Sequence, residues 1–372
     1  MKEKINYKNE EAFEKYFNVE KIEEFKNINN IEGKHIKHPI LYLMQNPKMN
    51  VTYNTKFSFD YLNSINSDYL NKMIKKIEKE KNFSNINGLL GEIRTYAYLL
   101  DSFMNSNITI NSVNTKKNIQ TSDFEVINEK NKEKVYVEVN TKQCNDDESK
   151  KLQKYREDLE KKLCEETLNR TNNKPKINIS TVSFAPFGRG KGKNDVNMKV
   201  IQKIAQTKQS KNQIPKKECG ILWMDFQSED INGVLDLKQS EPLWYIKNYG
   251  MFSGLIWYAL YGKKNLPIFN SNQFDDAYKG YEKLHIMEHP GLFIQRKDIS
   301  AVIISEGKYT LFFENPYSNK KIPMWFLKKI INVRNFNYEH SKIPFPRYSV
   351  KKRVKNDYIK IQKLSKMPNI SF

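Results

Sequence analysis

The sequence predicts an α/β fold: a mixed β-sheet flanked by helices, with a helical addition at the N-terminal end and an α+β addition at the C-terminal end. Three observations carry this. A broad-faced apolar helix is followed by three short strand candidates, and then by helix, strand, helix and strand. Segments such as VYVEVNTK alternate apolar and polar residues, the mark of a strand with one face covered. The chain has 372 residues, 38% hydrophobic and 12% aromatic, enough to fill a core.

Residues 1–85 read as a helical module. Apolar residues fall at helical spacing over 10–17 and 19–25, the chain turns irregular around His38 and Pro39, and a second helical stretch covers 59–80. A core then runs over 86–230. Asn87 is placed to cap a helix over 88–104, on which Leu89, Leu90, Ile93, Ala97, Leu100 and Met104 share a face. Strands are expected at 108–113, 123–128 and 134–140, the last two joined by the polar loop EKNKE. A charged helix over 147–168, the strand INISTVSF, a helix over 195–213 and the strand CGILWMDF complete the core. Residues 231–345 form the α+β region, with a helix near 252–261 and the strands ISAVIIS and YTLFFEN. Residues 346–372 form a basic tail.

Composition narrows the partner. There are 63 Lys and Arg against 43 Asp and Glu, a net charge of +20. Lysine supplies most of the excess, and abundant Asn and Ile show that codon bias contributes. The imbalance itself still favours a polyanion, or else a lysine-coated solvated surface. Three widely spaced cysteines, Cys144, Cys164 and Cys219, contain no CxxC pair and suit a reducing compartment. The N-terminal stretch has no apolar signal region, and the most apolar run, 251–261, is too short to span a bilayer. Cytoplasmic residence and no membrane partner are expected.

The chemistry concentrates in two strands. In VYVEVNTK, Val135, Val137, Val139 and Thr141 point one way, and Tyr136, Glu138, Asn140 and Lys142 the other. The preceding strand opens on SDFEV, and hairpin pairing sets Asp123 near Glu138. Two carboxylates held together repel unless a cation joins them. An all-oxygen donor set suits Mg²⁺. Glu92 sits in GLLGEIRTYAYLL among Leu89, Leu90 and Ile93, where a carboxylate needs a partner.

SDFEV followed by VYVEVNTK resembles the metal-binding heart of the PD-(D/E)XK, restriction-endonuclease-like nucleases, over about residues 86–226. The resemblance implies a restriction-endonuclease-like mixed sheet and Mg²⁺-dependent hydrolysis of phosphodiester bonds, with Mn²⁺ able to substitute. It gives Asp123, Glu138 and Glu92 metal-binding roles. It makes DNA the expected partner, with RNA the alternative, and restriction of invading DNA the expected role, with room for a homodimer or a defence-system partner protein. The chain departs from the pattern at Ser122, where Pro is usual, and at Asn140, where the catalytic Lys is usual. Lys142, two residues on along the same face, is the expected substitute for that charge, with Asn140 a spectator or water positioner. The rival reading is a nuclease-fold protein that binds nucleic acid without cutting it.

Other features carry less. The loop GRGKGKN offers Arg189, Lys191 and Lys193 to nucleic-acid phosphates, though it lacks the spacing and hydroxyl of a nucleotide-cradling loop. The tail from Arg347 offers basic residues interleaved with Tyr348, Tyr358, Ile359 and Ile361. His285 and His289 would share a helical face, but Pro290 follows at once and no third ligand is evident, so a structural role is expected.

Overall fold

The computed structural model describes residues 13–27, 38–104, 106–113, 122–143, 196–207, 214–215, 218–228, 231, 235–246, 250–269, 285–344 and 349–365. The expected helix over 147–168, the strand INISTVSF and the basic loop with Arg189, Lys191 and Lys193 lie outside these residues.

Five helices open the described chain: α1 (Val19–Asn27), α2 (Pro39–Gln45), α3 (Asn50–Ile65), α4 (Ser67–Lys79) and α5 (Phe83–Phe103). Helix α2 starts where irregular chain was expected. Pro39 occupies the first turn, where its missing N–H costs nothing, and His38 Nδ1 accepts from Ile40 N at 3.3 Å. The His38 ring stacks on Phe25 at 3.9 Å. The single helical stretch expected over 59–80 is two helices. The chain breaks at Asn66, whose side chain accepts from Tyr69 N at 3.2 Å and caps α4. Helix α5 is longer than expected. Asn82 rather than Asn87 caps it, accepting from Ser84 N at 2.9 Å, and Asn87 lies buried inside the helix.

The chain continues through β1 (Ile108–Ser112), β2 (Phe124–Asn128), β3 (Lys134–Thr141), α6 (Val196–Ala205), β4 (Cys219–Asp225), a 3-10 turn (Leu237–Ser240), β5 (Leu243–Ile246), β6 (Gly250–Ser253), α7 (Leu255–Tyr261), β7 (Pro267–Ile268), β8 (His285–Ile286), α8 (Leu292–Gln295), β9 (Ala301–Glu306), β10 (Tyr309–Glu314), α9 (Met324–Ile330) and α10 (Val350–Ser365). Among the described residues six strands form one mixed sheet in the order β1-β2-β3-β4-β9-β10. The first three are antiparallel, β3, β4 and β9 run parallel, and β10 returns antiparallel to β9. The fold is therefore mixed α/β, a six-stranded sheet flanked by helices. The boundary expected near residue 230 runs through this sheet, because β9 and β10 extend it beyond β4.

Two cores cover the two faces of the sheet. Val135, Val137, Ile221, Trp223, Ile303 and Phe312 pack with the N-terminal helices, while Leu222, Met224, Val302, Ile304, Leu311 and Phe313 pack with Ile201, Ile204 and the apolar α7. Period-two alternation along β4, β9 and β10 divides their residues between the faces. Every residue of β4 is buried. At Gly91 a side chain has no room, since a Cβ there would stand 2.0 Å from Thr141 Oγ1. The missing side chain lets α5 lie hard against the end of β3.

A polar network is buried in the same layer. Arg94 Nη2 pairs with Asp225 Oδ2 at 2.5 Å and Arg94 Nη1 donates to Thr55 Oγ1 at 3.0 Å. Asp225 Oδ1 accepts from Gln227 Nε2 at 2.9 Å and from Ser305 Oγ at 3.0 Å. Asn54 Nδ2 donates to Gln227 Oε1 at 2.7 Å, which ties in α3. The network joins α3, α5, β4 and β9 through groups that are fully desolvated.

The tail expected from residue 346 contains a docked helix. Val350, Val354, Tyr358 and Ile361 of α10 are buried, Trp257 Nε1 donates to Asp357 Oδ2 at 3.0 Å, and Tyr358 OH donates to the Tyr261 carbonyl. Lys351, Lys352, Lys355, Lys360 and Lys363 are exposed along it. His285 lies in strand β8, so it shares no helical face with His289. Among the described residues no helix is long and apolar enough to cross a membrane.

Candidate active site

Antiparallel register brings the first two carboxylates together. Phe124 stands opposite Val137, so the next step sets Asp123 beside Glu138. Asp123 Oδ2 accepts from Val139 N at 2.7 Å, which anchors it across the strand pair. Behind it Phe124 stacks on Tyr96 of α5, with centroids 5.1 Å apart and planes 2° apart. Glu138 is 8% exposed, and its Oε2 has no hydrogen-bond partner although it is buried.

Electrostatics ties Glu92 of α5 to the pair. Burial and then Asp123 push the Glu92 carboxyl above its ordinary range, with Lys76 pulling it back. Burial raises Asp123 too, against the Val139 N–H and Lys76. Glu138 is pushed up furthest, to about 9, by burial, then by Asp123 and Glu92. Three desolvated acids thus oppose one another's ionisation. These are the three residues that the sequence singled out, and each acts on the ionisation of at least one other.

Asn140 and Lys142 continue along the polar face of β3, but Lys142 is committed elsewhere. Its ammonium is buried and donates to Thr207 Oγ1 at 2.6 Å, beyond the end of α6. Burial, with Lys203 adding repulsion, pushes it down to about 7. Four residues of strand, roughly 13 Å, separate it from Glu138. Among the described residues no ion pair or hydrogen bond joins it to the three carboxylates.

Helix α4 supplies groups that the sequence did not announce. Lys76 acts electrostatically on both Glu92 and Asp123. Tyr69 has a buried hydroxyl without a hydrogen-bond partner, and burial, Glu92, Tyr96 and Asp123 together hold its phenol well above the ordinary range. A cavity of about 650 Å³ opens beside Glu92, lined also by Lys76, Lys79, Ser84, Gly88 and Gln143. The one signal in the sequence was the row Lys72, Lys75, Lys76, Lys79 within the helical stretch expected over 59–80.

The donor set fits a hard divalent cation in its chemistry: carboxylate oxygens only, mutually repelling, one of them buried and unbonded. Among the described residues, however, no three His, Cys, Asp or Glu side chains form a group placed to hold a metal ion. The acids are neighbours that have not converged on one point. Comparison with protein-family models, with curated proteins and with solved structures finds no match, so the site rests on the residues and geometry of this chain.

Proposed function

We propose that the protein is a divalent-cation-dependent nuclease that hydrolyses phosphodiester bonds, with DNA the preferred substrate, and that it belongs to the PD-(D/E)XK class, in which restriction of invading DNA is a role. The observation that carries the reading is the trio Glu92, Asp123 and Glu138, the first two half-buried and the third buried, with the unbonded Glu138 Oε2. Asp123 and Glu138 would hold Mg²⁺ or Mn²⁺, and Glu92 would hold the ion or its water. When bound, such an ion polarises a phosphoryl oxygen and acidifies a coordinated water. The Val139 N–H keeps Asp123 in place, and the stacked Phe124 and Tyr96 keep β2 against α5. The cavity beside Glu92 admits the phosphodiester, and its lysines offset the negative charge that arrives with it.

Titration with Mn²⁺ by calorimetry, alongside incubation with plasmid DNA, oligonucleotides and RNA with and without the ion, tests this directly. Wild type should bind and cut. Asp123→Ala should lower Mn²⁺ affinity at least tenfold and abolish cutting. Equal Mn²⁺ binding by wild type and Asp123→Ala removes the central claim. Asn140 and the engagement of Lys142 with Thr207 favour the second reading, a nuclease-fold protein that binds nucleic acid without cutting; binding without ion-dependent cleavage would establish it.

The exposed lysines of α10 bear on how the partner is held. Replacing Lys351, Lys352 and Lys360 together by alanine should reduce the slope of log affinity against log salt on duplex DNA by up to about three, at about 0.9 per phosphate contact. The helix should stay docked, since its buried side chains are untouched. An unchanged slope across a salt series means that the duplex lies elsewhere.

A further inference from the structure

We infer that Lys76 of α4 supplies the positive charge that β3 lacks at Asn140, contacting the phosphodiester at the carboxylate site. The inference rests on the nuclease reading above and names the residue that completes its chemistry.

Geometry carries it. Lys76 and Glu92 line the same open cavity, about 650 Å³ in volume and large enough for a nucleotide unit, and Glu92 is the member of the carboxylate trio that reaches it. Lys76 comes from the exposed face of α4, and Lys79, also exposed, lines the same cavity, together with Glu80. A further fact agrees. Lys142, the cation nearest in sequence, is buried on Thr207 and points to α6. An exposed ammonium keeps its charge and a flexible stem, as a phosphoryl contact requires, whereas a buried one tends to lose its proton.

In the step concerned, the oxygen of a water forms a bond to phosphorus and the bond from phosphorus to the leaving sugar oxygen breaks. Across the whole step the hydroxyl of that water ends on phosphorus and its proton on the leaving oxygen. Negative charge builds on the phosphoryl oxygens in between. A fixed cation beside them stabilises the transition state more than the bound substrate. Lys76 remains protonated throughout and is not consumed.

The test compares Lys76→Ala, Lys76→Arg, Lys142→Ala and a control, Lys75→Ala, in the full chain. Readouts are single-turnover cleavage of plasmid DNA with Mn²⁺, Mn²⁺ affinity by calorimetry without DNA, and far-UV circular dichroism. Lys76→Ala should cut about 100-fold more slowly, chiefly in the rate of the bound complex, and Lys76→Arg should recover part of that loss. Lys76→Ala should also bind Mn²⁺ a few-fold more tightly, because a repelling cation has left; a merely structural role would not move affinity in that direction. Lys75→Ala should cut as wild type. A Lys76→Ala rate within threefold of wild type, with loss confined to Lys142→Ala, overturns the assignment, returns the charge to β3 and leaves the nuclease reading standing. Wild type that binds no Mn²⁺ and cuts no nucleic acid overturns the nuclease reading, and the assignment with it.

Discussion

Replacing Arg94 by leucine is expected to cost about 3–5 kcal/mol, a large share of the stability of an ordinary domain, by leaving a partner charge buried and bare. Arg94 and Asp225 pair at 2.5 Å with side chains only 2% and 1% exposed. Removing the guanidinium strands the Asp225 carboxylate among Gln227 and Ser305, which each donate one hydrogen bond but no charge. Asp225→Leu should do comparable damage by stranding Arg94. The double variant should be more stable than either single variant, because an apolar pair no longer requires desolvated ions. Urea unfolding of the four proteins gives the cycle. Single variants that lose under about 1 kcal/mol would show that solvent reaches the pair and that the network is not as closed as its burial implies.

The second large effect concerns Glu138 and pH. Its carboxyl is raised in the folded state to about 9, against an ordinary 4.5. Between those values the folded chain holds a proton at this site that the unfolded chain has released. Stability without metal must then fall as pH rises, by at most about 1.4 kcal/mol per pH unit from this group. Glu138→Gln mimics the protonated acid permanently. The variant should match wild type near pH 5, and by pH 8 should be the more stable by a few kcal/mol. The same substitution removes a metal-binding oxygen, so Mn²⁺ affinity and cleavage should collapse. Thermal unfolding from pH 5 to 8.5, with and without Mg²⁺, gives both halves. In wild type Mg²⁺ should flatten or reverse the slope, since the ion favours the ionised acid. A flat metal-free profile in wild type would mean that the Glu138 carboxyl ionises in the folded chain as it does in the unfolded one.

Much of this architecture is written locally. Alternation in VYVEVNTK and the turn EKNKE placed β2 and β3 within a residue of their ends and set Asp123 beside Glu138. Helix α5 was visible as an apolar stripe, but its start was not, because Asn82 and Asn87 are equally good caps and only the packing of Phe83 and Ile86 selects the first. Hidden altogether were features that depend on partners distant in sequence. Nothing near residue 300 states that ISAVIIS lies parallel to CGILWMDF, and nothing in SDYLNKMIKK states that Tyr69 and Lys76 face Glu92. Lys142 illustrates the converse. Alternation set it on the polar face that continues from β3, yet a long side chain has a wide reach, and Thr207, 65 residues on, captures it.

The way β4 fills the centre of the sheet sets an order of events during synthesis. Helix α5 and strands β1–β3 follow one another directly, so the acidic cluster can assemble as soon as residue 141 has left the ribosome. Strand β4 and the β9–β10 hairpin arrive much later, and until then β3 presents an open edge and Arg94 has no counter-charge. Pairings between distant segments form slowly, and open edges invite aggregation while they wait. A nascent chain therefore carries its acids before the scaffold that fixes them. Shortened chains that stop near residue 230 should be recovered as insoluble material, whereas chains carried past residue 314 include the β9–β10 hairpin that pairs with β4.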